Sequence, residues 1–544
     1  MNTQGCLAII LHAHLPFVRH PEYDRFFEEN WFFEAISECY IPLIKTLDRL
    51  EKDHVDFRLT LSLSPTLISM LCDELLRERY ISYLGKQLEL AEKEIIRTRN
   101  DKHLHSLANW YRGLFSDTLK IYQDQYQGDL LSAFKKHFLL GNLELITCAA
   151  THGFLPLLNV NELSVRNQIN IGLDVFNNYF DFSSTGFWLP ECGFYPGLEK
   201  NLEEAGINYF FSDTHGVLHA SQQPVNGVYA PLDCGNGVAV FARDPESSRQ
   251  VWSSQEGYPG DFDYREYHRD IGFDLDLDYI SPYILNGEVR VNTGIKYHRV
   301  TGTHLKQYYR PVQAYKKAQI HARDFLQKRQ QQIARLSDFM DRVPIIISPY
   351  DAELFGHWWF EGPIWLEFVL RFADEANSTV KTVSCSDYLQ QFKKQQVAIP
   401  SASTWGAEGY SSYWINETND WIYPVLHKAG KDMQDLATDF FQIPSQSIIE
   451  RALNQAARSL LLAQSSDWAF IIRSGTTTEY AKKRIIDHLA RFNYLSESIR
   501  NNVIDERTLS ALEILDDIFP DIDFRDYAKL ENTTQVVKSA QFSS

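Results

Sequence analysis

At 544 residues the chain exceeds the size at which a single core stops growing, so two or three domains are expected. Its formal charge of −18 argues against nucleic acid and anionic membrane as partners, because both need a basic footprint. The seven cysteines are odd in number and form no C-x-x-C pair. That disfavours a disulfide framework or zinc knot and favours a reducing, cytoplasmic setting. No stretch reaches the roughly eighteen apolar residues a membrane span requires. Aromatic residues make up 13%, more than packing requires, and flat rings are what sugar faces stack against.

In chain order, residues 6–11 read as a strand buried on both faces, running into His12-Ala13-His14-Leu15-Pro16. Residues two apart on a strand share a face, so His12 and His14 point together. They are either a metal pair or two neutral hydrogen-bond donors. The metal reading needs further ligands, and His152 is the only strong extra candidate. Residues 31–50 have helical periodicity, and 57–63 form a second strand. The charged stretch 65–140 has no strand signal and is expected to be a helical insertion. Residues 142–148 resume as a strand ending in Thr151-His152-Gly153, and 163–179 are helical.

Gly186-Phe187-Trp188-Leu189-Pro190-Glu191-Cys192-Gly193 is strand-like and then turns, leaving Glu191 where a strand ends, beside Trp188. A carboxylate there is a candidate nucleophile, since parallel α/β folds mount chemistry at the carboxyl ends of strands. Taken alone, Glu191 reads at least as well as a cap for the helix that follows. Strand, helix and strand continue through 207–212, which argues for a parallel sheet closed into a barrel. Residues 216–302, rich in Gly, Pro, Asp and Tyr, break the rhythm and read as a lid over the catalytic face, with one strand at 238–243. Residues 343–348 are the clearest buried strand and empty into Asp351-Ala352-Glu353, a second strand-end carboxylate among aromatics that include Trp358 and Trp359. From about 401 to 520 the chain reads as a helical domain, and 521–544 as a polar, frayed tail.

Two strand-end carboxylates amid tryptophans fit glycoside chemistry, in which one group attacks the anomeric carbon while the other shuttles a proton. The motifs H-A-H-L-P, W-L-P-E-C-G (188–193) and S-P-Y-D-A-E-L-F-G-H-W-W (348–359), with Thr151-His152-Gly153 and the region from Trp405 through Trp414, resemble glycoside hydrolase family 57, and within it the 1,4-α-glucan branching members. The resemblance implies a (β/α)7 barrel spanning 1–400 and a helical domain over 401–520 that contributes to the cleft. It also implies a retaining mechanism with Glu191 as nucleophile and Asp351 as general acid/base, with no metal or other cofactor. His12, His14 and His152 would bond the sugar at the cleaved site, and Trp188, Trp358, Trp359, Trp405, Trp414 and Asp467 would line the cleft. Trp365 and Trp468 read as core packing.

The turn Gly257-Tyr258-Pro259-Gly260 would hold Tyr258 at the tip of a mobile loop able to cover the cleft, as in the branching members. The expected substrate is an α-glucan. The alternatives are an α-amylase or 4-α-glucanotransferase of the same family, a metal-dependent amidohydrolase or deacetylase using the three histidines, and a non-catalytic glucan-binding protein. Oligomeric state is not legible in the sequence.

Overall fold

The computed structural model describes residues 4–253 and 256–529. Among these, ten strands form one curled sheet. They are β1 (Gly5–Ala13), β2 (Leu59–Leu63), β3 (Leu143–Cys148), β4 (Gly186–Trp188), β5 (Tyr209–Ser212), β6 (Leu232–Asp233), β7 (Ala239–Ala242), β8 (Ile345–Asp351), β9 (Val380–Thr382) and β10 (Gln396–Val397). Their order is β10-β6-β7-β5-β4-β3-β2-β1-β8, with β9 also pairing β1. All pairings are parallel except β6 with β7.

The side-chain period of β1 explains the architecture. Its sequence GCLAIILHA is buried along its whole length because alternate residues serve different cores. Leu7, Ile9 and Leu11 pack with the surrounding helices. Cys6, Ala8 and Ile10 join an enclosed cluster with Ile146, Trp188, Phe211, Phe241, Ile345 and Ile347. The same parity turns His12 inward. On β8, which runs in register from Cys6↔Ile345 to His12↔Asp351, it turns Asp351 inward as well.

The barrel of seven strands, β7-β5-β4-β3-β2-β1-β8, is left without a ladder between β7 and β8. Asp244 N donates to Ile347 O (2.8 Å) across this seam, and Ser348 Oγ and Tyr350 Oη donate to Ser247 Oγ (2.8 Å) and Ser247 O (3.1 Å). The chain leaves β7 at once for the helix Pro245–Trp252. Asp244 caps that helix through Ser247 N, and Pro245 has no N–H to extend a ladder.

Residues 65–140 are helical as expected, with helices Pro65–Cys72, Glu74–Arg97, Lys102–Lys120 and Leu130–Leu139. They do more than fill a gap, because they anchor the 216–302 excursion. Glu94 accepts from Tyr279 and Tyr297 hydroxyls, both at 2.9 Å, and Gln87 Nε2 donates to Thr293 O at 2.9 Å.

Residues 401–421 run as short turns beside the barrel mouth. The C-terminal helices begin at Ile422 and comprise Ile422–Asp439, Ile448–Ala463, Ser466–Ser474, Thr478–Arg500 and Glu506–Leu515. The start of the supposed frayed tail is packed. Phe524 and Tyr527 are buried, and Arg525 donates to Glu450 Oε1 (2.8 Å) and to two backbone carbonyls. Two aromatics in a polar run were enough to dock it. Residues 530–544 lie outside the described residues. All seven cysteines are free, and no helix among the described residues is long and apolar enough to cross a membrane.

Candidate active site

A cavity of about 520 Å³ opens at the carboxyl ends of the strands, lined by His12, His14, His152, Glu191, Asp351, Trp358, Trp405, Trp414 and Asp467. Nine of the twelve expected site residues therefore meet in one place. The helical domain supplies Asp467, at the start of Ser466–Ser474.

Glu191 owes its position to strained backbone. Beyond β4 the chain turns through Pro190, and Glu191 and Cys192 adopt φ of 61° and 51°, the left-handed region that ordinary side chains avoid. The turn is pinned by Cys192 N donating to Leu189 O (2.8 Å) and by Trp405 N donating to Glu191 O (3.0 Å). The Trp405 indole N–H also donates to Glu191 Oε2 at 2.8 Å, and His152 Nδ1 lies 4.0 Å from Oε1. Burial pushes Glu191 up to about 8; the Trp405 bond opposes this and the neighbouring Asp351 adds to it. Asp351 is raised to about 6 by burial, moderated by His14 and Arg243. Interacting carboxyls titrate as a unit, so between about 6 and about 8 the pair holds one proton.

The imidazoles form a stacked column. His14 and His152 rings lie 3.9 Å apart, and His12 sits 4.7 Å from the Trp188 indole. His12 Nε2 is 3.0 Å from His152 Nε2, and its Nδ1 is 3.0 Å from Ser62 Oγ. His152 Nδ1 meets Ser466 Oγ at 2.8 Å. Burial first, and then the neighbouring imidazoles, hold His12 and His152 well below the ordinary histidine range, so both are neutral. His14 Nε2 is 3.0 Å from Asp467 Oδ2. Burial alone would raise Asp467, but His14 outweighs it and brings the carboxyl down to about 2.

The expected trio His12, His14 and His152 is not the group that could share an ion. Among the described residues, His14, His152 and Asp467 present ligand atoms within 4.8 Å of one another, as do the half-buried Asp48 and Glu51 with the buried His137. In the second group the Lys136 ammonium already pairs with both carboxylates, at 2.9 and 2.6 Å. In the first group His14 Nε2 meets Asp467 while its Nδ1 has no partner, and His152 meets His12 and Ser466 through its two ring nitrogens.

Three expected site residues lie elsewhere. Trp188 is fully buried beneath His12, as its floor rather than a sugar platform. Trp359 is buried against Tyr264 and Trp365, while its neighbour Trp358 is 55% exposed and lines the cleft. Tyr258 is only 8% exposed and is not at a loop tip. Its hydroxyl donates to Asp324 (2.7 Å) on the helix Pro311–Ser337, with its ring against His321. The preceding Gly257 marks a tight turn, since a Cβ there would lie 2.3 Å from Ser253 O. A hydroxyl with a partner outweighed the turn residues that suggested mobility. Trp365 and Trp468 are buried, as read.

The sequence reading missed Arg243, Glu353, Trp252, Tyr413 and Phe470, all of which line the cavity. Parity could have found Arg243, because Ala239 and Phe241 face the enclosed cluster and Arg243 continues their face. Glu353 stood in a quoted motif. It accepts from Tyr40 Oη (2.5 Å) and His14 N (3.2 Å); burial raises it to about 8, and the Tyr40 bond opposes that.

Replacing Trp405 by Phe removes the charge-assisted bond to Glu191. Such bonds contribute about 1.5–3 kcal/mol, so a loss of about 10- to 150-fold in kcat/KM is expected. The lost donor favoured the ionised carboxylate, so the limb set by Glu191, near about 8 in the free enzyme, moves to higher pH. A loss in activity without that shift would mean the indole only fills space.

The family description "Glycosyl hydrolase family 57" matches residues 8–401, and "1,4-alpha-glucan branching enzyme, C-terminal" matches residues 425–527. The chain is 33% identical to the 1,4-alpha-glucan branching enzyme TK1436 of Thermococcus kodakarensis, over 94% of this chain and 77% of that protein. Among solved structures it is similar to the alpha-amylase AmyC of Thermotoga maritima, with TM-score 0.91, 44% identity and coverage of 97% and 99% of the two chains. It is also similar to the GH57-type branching enzyme of Pyrococcus horikoshii, with TM-score 0.86, 33% identity and coverage of 97% of each chain. With the sheet, the paired strand-end carboxyls and the histidine column in place, these matches make the chain a member of glycoside hydrolase family 57 that carries the C-terminal domain of its branching enzymes.

Proposed function

We propose that the chain is a 1,4-α-glucan branching enzyme acting by retaining double displacement. Glu191, as carboxylate, attacks the anomeric carbon of an α-1,4-linked glucose, while Asp351 gives its proton to the departing 4-oxygen. The glucan is then held on Glu191 as a β-linked ester. Asp351 next takes the proton from the 6-hydroxyl of an acceptor chain, whose oxygen displaces Glu191 and forms the α-1,6 bond. The His14–Asp467 pair bonds hydroxyls of the sugar at the cleaved site, and neutral His12 and His152, whose ring nitrogens meet Ser62, Ser466 and each other, hold it in place. Trp358 and Trp405 bound the sugar's apolar faces, while Trp414, 1% exposed and stacked on Phe154 at 4.6 Å, backs the wall behind them.

The observation that carries this reading is one cavity walled by both carboxyls together with a helical domain matching the branching enzymes' C-terminal region. Seven free cysteines accord with a cytoplasmic setting, and formation of α-1,6 bonds is a step in the synthesis of a branched storage glucan.

Transfer demands that water be kept from the ester until a second chain arrives. Tyr258 is packed against Asp324, so that task falls to Trp252. It ends the helix Pro245–Trp252, lines the cavity and is 41% exposed. Trp252→Ala is expected to lower branching much more than hydrolysis. Tyr258→Ala lowers both in parallel, along with Tm. Equal loss of both activities in the Trp252 variant would reject the water-exclusion role.

A second reading, α-amylase, is favoured by the 44% identity to AmyC. Proton NMR of the products formed from amylose separates the two. New α-1,6 anomeric signals are expected, and shortened linear chains alone would make the protein a hydrolase.

A further inference from the structure

Trp405 makes two bonds to Glu191, yet it stands outside any helix or strand. The turn that carries it, 404–410, closes on itself. Thr404 N and His215 Nε2 share one acceptor, Gly409 O, at 2.9 and 2.7 Å, and Thr404 Oγ1 donates to Tyr410 O at 2.8 Å. Glu408 and Gly409 reach this closure with φ of 68° and 77°, the left-handed region that a glutamate avoids unless its surroundings fix it there.

His215 ties the closed turn to the barrel. It lies in the short helix Thr214–Leu218, just past β5. Its Nδ1 donates to Asp213 Oδ1 at 3.2 Å, and Arg243, just past β7, donates from Nη1 to Asp213 Oδ2 at 3.3 Å. Asp213 and Gly409 O are both acceptors, so the imidazole donates on both sides and its plane is fixed between them. The fit has no slack, because a Cβ at Gly409 would lie 2.7 Å from the imidazole Cε1. The Tyr410 ring stands edge-on to His215 with centroids 5.4 Å apart. Arg243 is held in turn by Ser248 Oγ at 2.9 Å, and its guanidinium lies 5.7 Å over the Trp405 ring. The network therefore returns to the indole from which it starts.

We propose that His215 is a positioning residue for the transfer reaction, acting through Gly409 and Trp405 to set the indole N–H against the nucleophile. This rests on the assignment of Glu191 as that nucleophile. His215 is not among the residues lining the cleft, so it touches no sugar. What it controls is the 2.8 Å bond from the Trp405 indole to Glu191 Oε2, and such a bond weakens steeply when its donor is misaligned.

His215→Ala is expected to lower kcat/KM on amylose about 10- to 100-fold, the scale of misplacing an oriented group. It should also move the limb of the kcat/KM pH profile set by Glu191 to higher pH, as Trp405→Phe does. His215→Gln, whose amide can donate to Gly409 O, is expected to recover most of the rate and the wild-type limb. Gly409→Ala keeps the imidazole but forces it off the carbonyl. It serves as the second variant should His215→Ala lower Tm sharply, and the same shift is expected. A lower rate in both variants with the limb unmoved would mean that the histidine only fills space, and overturns the proposal. So does wild-type kcat/KM in His215→Ala, or His215→Gln no more active than His215→Ala. Glu191→Gln is measured alongside. Turnover in that variant would overturn the nucleophile assignment, whereas an inert Glu191→Gln beside an unshifted His215→Ala rejects the positioning role alone.

Discussion

Glu191→Gln is expected to abolish branching and hydrolysis together, with kcat falling by on the order of 10⁴–10⁶, the scale of losing a covalent nucleophile. The change keeps the side chain's shape, and the Trp405 N–H, 2.8 Å from the present Oε2, can donate to the amide oxygen instead. Glucan binding should therefore stay nearly intact, which affinity electrophoresis in amylose gels measures directly. Both activities disappear because both pass through the same ester. A variant that retained more than a trace of turnover would mean the ester forms elsewhere or not at all.

Asp351→Asn carries the second-largest expected effect, a loss of about 10²–10⁴ as for other proton-shuttling groups. The loss should shrink for aryl α-maltosides, whose leaving group departs without a proton. Glu191→Gln should show no such relief, so the pair of variants assigns the two roles. The wild-type pH profile is expected to be bell-shaped, with limbs near about 6 and about 8. Below the lower limb both carboxyls are protonated and no nucleophile exists. Above the upper limb both are ionised and no proton is available for the leaving oxygen. Asp351→Asn should lose the alkaline limb, because the group that must stay protonated is gone. In the free cleft burial raises Glu191 above Asp351, so the shared proton must sit on Asp351 once glucan is bound. An aryl-substrate result with the two variants exchanged would reverse the assignment.

The motif-bearing strands were legible because a buried strand needs continuous apolar residues and chemistry is mounted where such strands end. Period two predicts that His12 and His14 share a face, and the same rule applied to β7 would have named Arg243. Residues 65–140 were readable as helices because no strand pattern competes there. Their role as an anchor for the 216–302 excursion was not readable, since it depends on contacts such as Tyr279 and Tyr297 with Glu94. The tail was misjudged at Phe524 and Tyr527, where two rings in a polar run found a groove.

The sequence by itself determined the parallel barrel and the family, and it brought Glu191 and Asp351 forward as candidates, because these follow from local patterns and motifs that do not depend on distant contacts. Only the tertiary structure decided which tryptophans line the cleft and which are core. Trp358 and Trp359 are neighbours in the chain, yet one lines the cleft and the other is buried. It also decided that Tyr258 packs on Asp324 instead of covering the cleft, and that Asp467 of the helical domain closes on His14. In each case the outcome rests on a partner far away in sequence, and no local rule specifies which partner will be there.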